Sequence, residues 1–201
     1  MSLLKILAPK NIKGKVEYKG LHPHLWDINE GQVIMNLGKI KAGKSVRTLN
    51  YFMNPNFYAD RFDIVYIFSP TLHNDKLNRH YLKSEKFITF DTYNDAVLQE
   101  ILDSQLSLME GEGEAPRIAI LFDDLLTMDI KQNALAWNIA SNSRHFNVRF
   151  LCYNLQKMTG LPVVVRSNLT GATLTKFNNA TQEDRIVEEF SDFYGGKEVF
   201  T

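Results

Sequence analysis

Six short apolar runs recur along the chain, at Gln32–Leu37 and at residues 62–68, 86–90, 117–122, 148–153 and 172–177. Each is nearly continuous rather than alternating, the pattern of parallel strands covered on both faces. Between them the period changes to that of a helix. Leu98, Leu102, Leu106 and Met109 form one stripe from Asn94 onward, and Ile130, Ala134 and Trp137 form another; both stripes are expected to pack on the sheet. Near the end, Thr181 with Asp184 makes a start resembling a capping box, Ile186, Phe190 and Phe193 share a face, and Gly195 and Gly196 supply a stop. Strands alternating with helices predict an α/β fold with a mainly parallel sheet. One polar break, Glu110 to Pro116, reads as a solvated loop between two elements.

The 201 residues suit one domain: a lead-in segment (1–31), a core (32–177) and a terminal helix with its tail (178–201). With 44% hydrophobic and 23% charged residues, disordered, collagen-like and disulfide-scaffold classes are excluded. The single cysteine, Cys152, lies within an apolar run and is expected to be a reduced core residue of an intracellular protein. No run approaches the roughly 20 residues of a membrane span, and the first residues lack a signal peptide's apolar stretch, so no membrane insertion is expected. The net charge is zero but unevenly spread. Residues 1–50 carry nine Lys/Arg against three Asp/Glu (+6), leaving fourteen against twenty (−6) elsewhere, so a polyanion would favour the first quarter.

The most specific segment is Gly38, Lys39, Ile40, Lys41, Ala42, Gly43, Lys44, Ser45, a full match to G-x-x-x-x-G-K-[ST], the Walker A pattern. An apolar strand precedes it and a helical pattern beginning at Val46 follows, the context a phosphate-binding loop requires. The glycines let backbone N–H groups turn toward phosphate oxygens, and the helix points its positive end at them. Lys44 would reach the β and γ phosphates of ATP, Ser45 would offer its hydroxyl to Mg2+, and Val46 would adjoin the nucleotide. A second signal lies at residues 117–124, a hydrophobic strand closing on Asp123 and Asp124. Two adjacent acids at a strand's carboxyl end are costly unless a cation or a proton transfer uses them. Asp123 is assigned to Mg2+ through its water shell and Asp124 to the attacking water as general base, a Walker B element. For Asp124 alone, capping the next segment is an equal alternative.

These motifs, followed by Ser143, Arg144, His145, Phe146 and Asn147, a strand closing on Gln156, and Leu161, Pro162, Arg166 and Asn168, resemble the genome-packaging ATPases of double-stranded DNA viruses in the FtsK/HerA superfamily. His22, Pro23 and His24 resemble that family's lead-in, so the similarity runs from about His22 to Phe177. The resemblance implies a RecA-like P-loop NTPase core of strand order 5-1-4-3-2 with extra edge strands. It also implies a pentameric or hexameric ring, ATP-driven translocation of double-stranded DNA into a preformed capsid, and capsid or portal-vertex proteins as partners. The location would be the infected host's interior or the virion vertex. By the same resemblance Gln156 is the polar sensor of the γ-phosphate or attacking water. Arg166, in an R-x-N pattern with Asn168, ranks ahead of Arg144 as the arginine reaching a neighbouring subunit's site. Ala42 departs from the small hydroxyl residue of many relatives, and Lys39 and Lys41 make the loop unusually basic.

Other residues carry less. His22 and His24 are spaced as metal ligands could be, but Pro23 between them and no nearby acid cluster favour a structural role; His73 and His80 are isolated. Tyr51, Phe52, Phe57 and Tyr58 read as core. Two other functions stay open at this level. A small nucleoside or nucleotide kinase would share the loop, although only Arg144 and Arg149 lie between the paired acids and Gln156 where such kinases carry an arginine-rich lid. The other is a non-catalytic, nucleotide-gated assembly module.

Overall fold

The computed structural model describes residues 24–72, 78–125, 130–131, 134–158, 161–175 and 180–191. Six strands form one parallel sheet: β1 (Gln32–Leu37), β2 (Ile64–Phe68), β3 (Phe87–Phe90), β4 (Ile118–Asp123), β5 (Val148–Leu155) and β6 (Gly171–Leu174), in the order β3-β2-β4-β5-β1-β6. Each of the six expected apolar runs contains a strand; in the last, at 172–177, the strand ends at Leu174. With the edge strand β3 set aside and the other five renumbered along the chain, the order reads 5-1-4-3-2.

The helices are α1 (Lys44–Met53), α2 (Asp95–Glu110), the single turns α3 (Leu135–Asn138) and α4 (Val163–Arg166), and α5 (Ala180–Phe190). Strand residues alternate between two cores. Val33, Met35, Ile120, Phe122, Leu151 and Tyr153 face one side, where they meet Leu98, Leu102, Trp137, Val165, Ile186 and Phe190 of α2 to α5. Ile34, Ala119, Leu121, Phe150 and Cys152 face the other, against Leu49, Tyr51 and Phe52 of α1. Phe150 sits among Tyr51, Phe52, Tyr58 and Phe62 with ring centroids 5.2 to 5.9 Å apart, the offset and edge contacts aromatic quadrupoles favour. Two buried faces explain the unbroken apolar runs. Cys152 is buried and unpaired.

Three expectations change. The α2 stripe is buried only at Leu98 and Leu102, while Leu106 and Met109 are exposed; sixteen residues of helix run about 24 Å, longer than the strands beneath. Ile130, Ala134 and Trp137 do not share a helix, because α3 begins after an extended Ala134 and gives way to a 3-10 turn at Ile139–Ser141. There the Ser141 hydroxyl donates to the Asn138 carbonyl, a local bond that competes with continued helix. Thr181 lies inside α5, already under way at Ala180, and is not its cap. His22, Pro23, His73, Phe177, Phe193, Gly195 and Gly196 lie outside the described residues.

Candidate nucleotide site

The carboxyl ends of β1, β2, β4 and β5 converge on a cavity of about 640 Å3. One part of its wall is the loop and first helical residues from Ile40 to Val46; Thr71, Asp123, Asp124 and Gln156 supply the rest. Lys44, Ser45, the acid pair and Gln156, three segments distant in sequence, thus share one space.

The loop's shape follows from its residues. Gly38 donates its N–H to the Leu155 carbonyl at 3.1 Å, and a Cβ there would stand 1.7 Å from Thr175 Oγ1, so contact demands glycine. Gly43 has open space around it but φ of +89°, so backbone conformation demands glycine. Lys41 also adopts positive φ, 63°. Gly43 caps α1, whose first N–H groups, including those of Ser45 and Val46, have no partner within the helix and adjoin the cavity. Gly38 and Lys39 do not line the cavity; their carbonyls accept from Lys44 Nζ at 2.7 and 3.0 Å and hold the ammonium in place. Burial pushes the Lys44 pKa down, and the carboxylates of Asp124 and Asp123 oppose that shift.

The two acids are held differently. Asp123, the last residue of β4, is buried, its Oδ2 accepting from Ser69 Oγ and its Oδ1 from Asn154 Nδ2, both at 2.9 Å. Asp124 turns out of the sheet with φ of +56° while its N–H donates to the Asn154 carbonyl. That left-handed conformation, costly for a residue with a Cβ, swings its carboxylate to Gln156, whose Nε2 donates at 3.0 Å. Burial first, and the Asp123 charge second, raise the Asp124 pKa above the ordinary carboxylate value; Gln156 and Lys44 pull the other way. Asp123 and Ser45 both present oxygen to the cavity, the donor chemistry that suits Mg2+ held by one or two carboxylates and phosphate oxygens. No cluster of three His, Cys, Asp or Glu occurs among the described residues.

Neither arginine candidate lines this cavity. Arg144 lies in the turn Ser143–Phe146 before β5, at the opposite end of the sheet. Arg166, at the end of α4, is paired with Glu189 of α5 at 2.9 Å. The sequence reading missed Thr71 in the cavity wall and the groups behind the acids: Ser69, Asn154, Asn36 and Thr48. A signal existed. Asn36, Ser69 and Asn154 are single polar residues at or just after the ends of apolar runs, and a polar residue buried there needs a partner. Tyr51, read only as core, also directs its hydroxyl into this group. His24 lies with Trp26, Arg47 and Tyr51 around a second cavity of about 280 Å3.

No protein-family model matches the sequence, and a search of curated proteins by sequence finds no match. Solved structures do match in fold. The genome-packaging NTPase of Sulfolobus turreted icosahedral virus 2, in complex with AMP, superposes with a TM-score of 0.59 at 15% identity, covering 82% of this chain and 85% of that one. The DNA-packaging ATPase of Sulfolobus turreted icosahedral virus gives 0.59 at 14% identity, covering 80% and 82%. The cytoplasmic domain of EssC gives 0.60 at 13% identity, covering 80% of this chain; this chain spans about a third (35%) of that one. The parallel six-stranded sheet and its flanking helices are therefore the α/β fold of P-loop ATPases.

Proposed function

We propose that this chain is an ATP-hydrolysing motor that moves double-stranded viral DNA into a preformed capsid, working as a ring. The observation that carries the reading is the single cavity holding Lys44, Ser45, Asp123, Asp124 and Gln156. Support for the packaging role comes from the fold, since the viral NTPase and this chain superpose over most of each other.

In this mechanism the loop's N–H groups and Lys44 bind the phosphates and neutralise charge developing on the transferred group. Mg2+, held by Ser45 and Asp123, would supply further charge neutralisation when bound. Asp124 accepts the proton of the attacking water, its raised pKa making it a better base than an ordinary carboxylate. Gln156, hydrogen-bonded to Asp124, places the water and contacts the γ-phosphate.

The arginine from a neighbouring subunit is assigned to Arg144 ahead of Arg166, the reverse of the order the sequence suggested. Arg144 is exposed and belongs to neither ion pair found among the described residues, whereas Arg166 is tied to Glu189. The eight-residue strand β5 places Arg144 about 25 Å from the cavity of its own chain, so only another subunit's site is within its reach. The test is steady-state phosphate release by the purified protein, with and without linear duplex DNA, over a series of protein concentrations. Turnover that rises with both is expected. Turnover indifferent to both, or phosphoryl transfer to a nucleoside by the monomer, would replace the motor by a kinase; binding without turnover would leave a nucleotide-gated module.

A further inference from the structure

A row of polar side chains crosses the sheet one level below the cavity. Asp123 of β4 is in register with Asn154 of β5, Asn154 with Asn36 of β1, and Asn36 with Thr173 of β6. All four lie on the α1 side; the first three are bonded in sequence, and the Tyr51 hydroxyl bridges Asn36 and Thr173. Asn154 Nδ2 donates to Asp123 Oδ1 at 2.9 Å, Asn36 Nδ2 donates to Asn154 Oδ1 at 2.9 Å, and the Tyr51 hydroxyl donates to Asn36 Oδ1 at 3.3 Å. Thr48 of α1 closes on the middle of the row, accepting from Asn154 Nδ2 at 2.9 Å and donating its own proton to the Lys44 carbonyl at 2.7 Å. Thr173 Oγ1 meets the Tyr51 hydroxyl at 3.1 Å.

We infer that Tyr51, Asn36 and Asn154 are positioning residues whose hydrogen bonds along the row, each donated toward Asp123, fix the direction in which the Asp123 carboxylate presents itself to Mg2+. The polarity of the row carries the argument. An ionised carboxylate only accepts hydrogen bonds, so Asn154 must turn its NH2 toward Asp123 and its carbonyl toward Asn36. Asn36 must then offer its NH2, which leaves its carbonyl to a donor, and Tyr51 supplies that donor. An amide anywhere in the row rotated by 180° would set two acceptors or two donors face to face, in a space where an unpaired polar group is costly. Asn36, Asn154 and Asp123 are nearly excluded from solvent, with 1%, 1% and 5% of their surface exposed, so no bulk water competes for these bonds. With Asn154 on one oxygen and Ser69 on the other, the Asp123 carboxylate is clamped at both ends. Outer partners of this kind orient a metal's ligands and set its affinity.

This inference rests on Asp123 serving as the Mg2+ ligand. The experiment compares binding of a fluorescent, slowly hydrolysed ATP analogue with Mg2+ and with EDTA, so that the readout is the gain in affinity Mg2+ provides rather than turnover. Asn154→Ala should cut that gain about tenfold or more while affinity in EDTA stays within about twofold. Tyr51→Phe keeps the ring and removes only the hydroxyl that sets the row's polarity; it should cut the gain in the same direction by about two- to fivefold. Tyr58→Phe serves as control, since the Tyr58 hydroxyl bonds the Trp26 carbonyl outside the row, and should change nothing. Equal losses with and without Mg2+, or an unchanged gain in both row variants, would overturn the inference. Asp123→Asn separates the two levels. If it abolishes the gain while Asn154→Ala and Tyr51→Phe retain it, the row has no positioning role and the Mg2+ reading stands; if Asp123→Asn itself retains the gain, both fall.

Discussion

At the scale of single residues the site works by opposed charges kept close under partial burial. Lys44 loses hydration beside two carboxylates, and Asp124 is crowded by Asp123, so each group's charge is tuned by the others. Lys44→Ala removes the ammonium proposed to bind the phosphates and should lower ATP turnover about 10²- to 10³-fold, the usual loss for one preorganised donor; steady-state phosphate release checks it. Asp124→Asn should lower turnover about 10²- to 10⁴-fold as the loss of a general base. The pH profile fixes the sign. Asp124 must be ionised to accept a proton, and its pKa is raised, so the acid limb of wild-type turnover should lie above the ordinary carboxylate value of about 3.9. The same raised pKa means that the folded state disfavours the ionised form, so stability contributed by this group is present at low pH and lost as pH rises through its folded pKa. Asp124→Asn should therefore unfold at a higher temperature than wild type at neutral pH, and a lower melting temperature would contradict the burial argument.

Elements were read well from sequence where burial has one simple cause and poorly where local bonding competes. The six strands were legible because a two-sided sheet forces uninterrupted apolar runs, and the loop was legible because its glycines sit at a close approach and a left-handed turn. The stripe from Ile130 to Trp137 misled because Ala134 is not helical and α3 starts only at Leu135, so Trp137 alone of the three lies in a helix. Leu106 and Met109 kept the helical period yet extend past the strands, since periodicity reports a face and not the length of what lies under it. The acids, read from their place at a strand's end, and Gln156, singled out only by the family resemblance, line the cavity, but Thr71 and the row behind Asp123 depend on strand register, which local pattern does not encode. The loop also allows a test at this scale. Gly38→Ala would drive a methyl group against Thr175 Oγ1, which donates to the Leu37 carbonyl, and should cost about 1–3 kcal/mol in denaturant unfolding. Thr175→Ala in the same chain should recover part of that loss, and no recovery would place the strain elsewhere.

For the whole molecule, the sheet separates two ends. The loop and acids occupy the carboxyl end, and Arg144 stands exposed at the other, as the proposed completion of one subunit's site by a neighbour requires. Arg144→Ala should then lower turnover about 10³-fold or more at concentrations where subunits assemble, and Arg166→Ala much less, as judged by phosphate release. No helix among the described residues is long and apolar enough to cross a membrane. The zero net charge is compatible with the proposed motor gripping duplex DNA locally, because binding through many phosphates would slow release. Translocation itself is read by displacement of a third strand from a triplex placed downstream on linear duplex DNA. The motor account predicts that the wild-type protein strips the third strand only with ATP and Mg2+, and that Lys44→Ala does not; ATP hydrolysis by an assembled protein that leaves the triplex intact would contradict it.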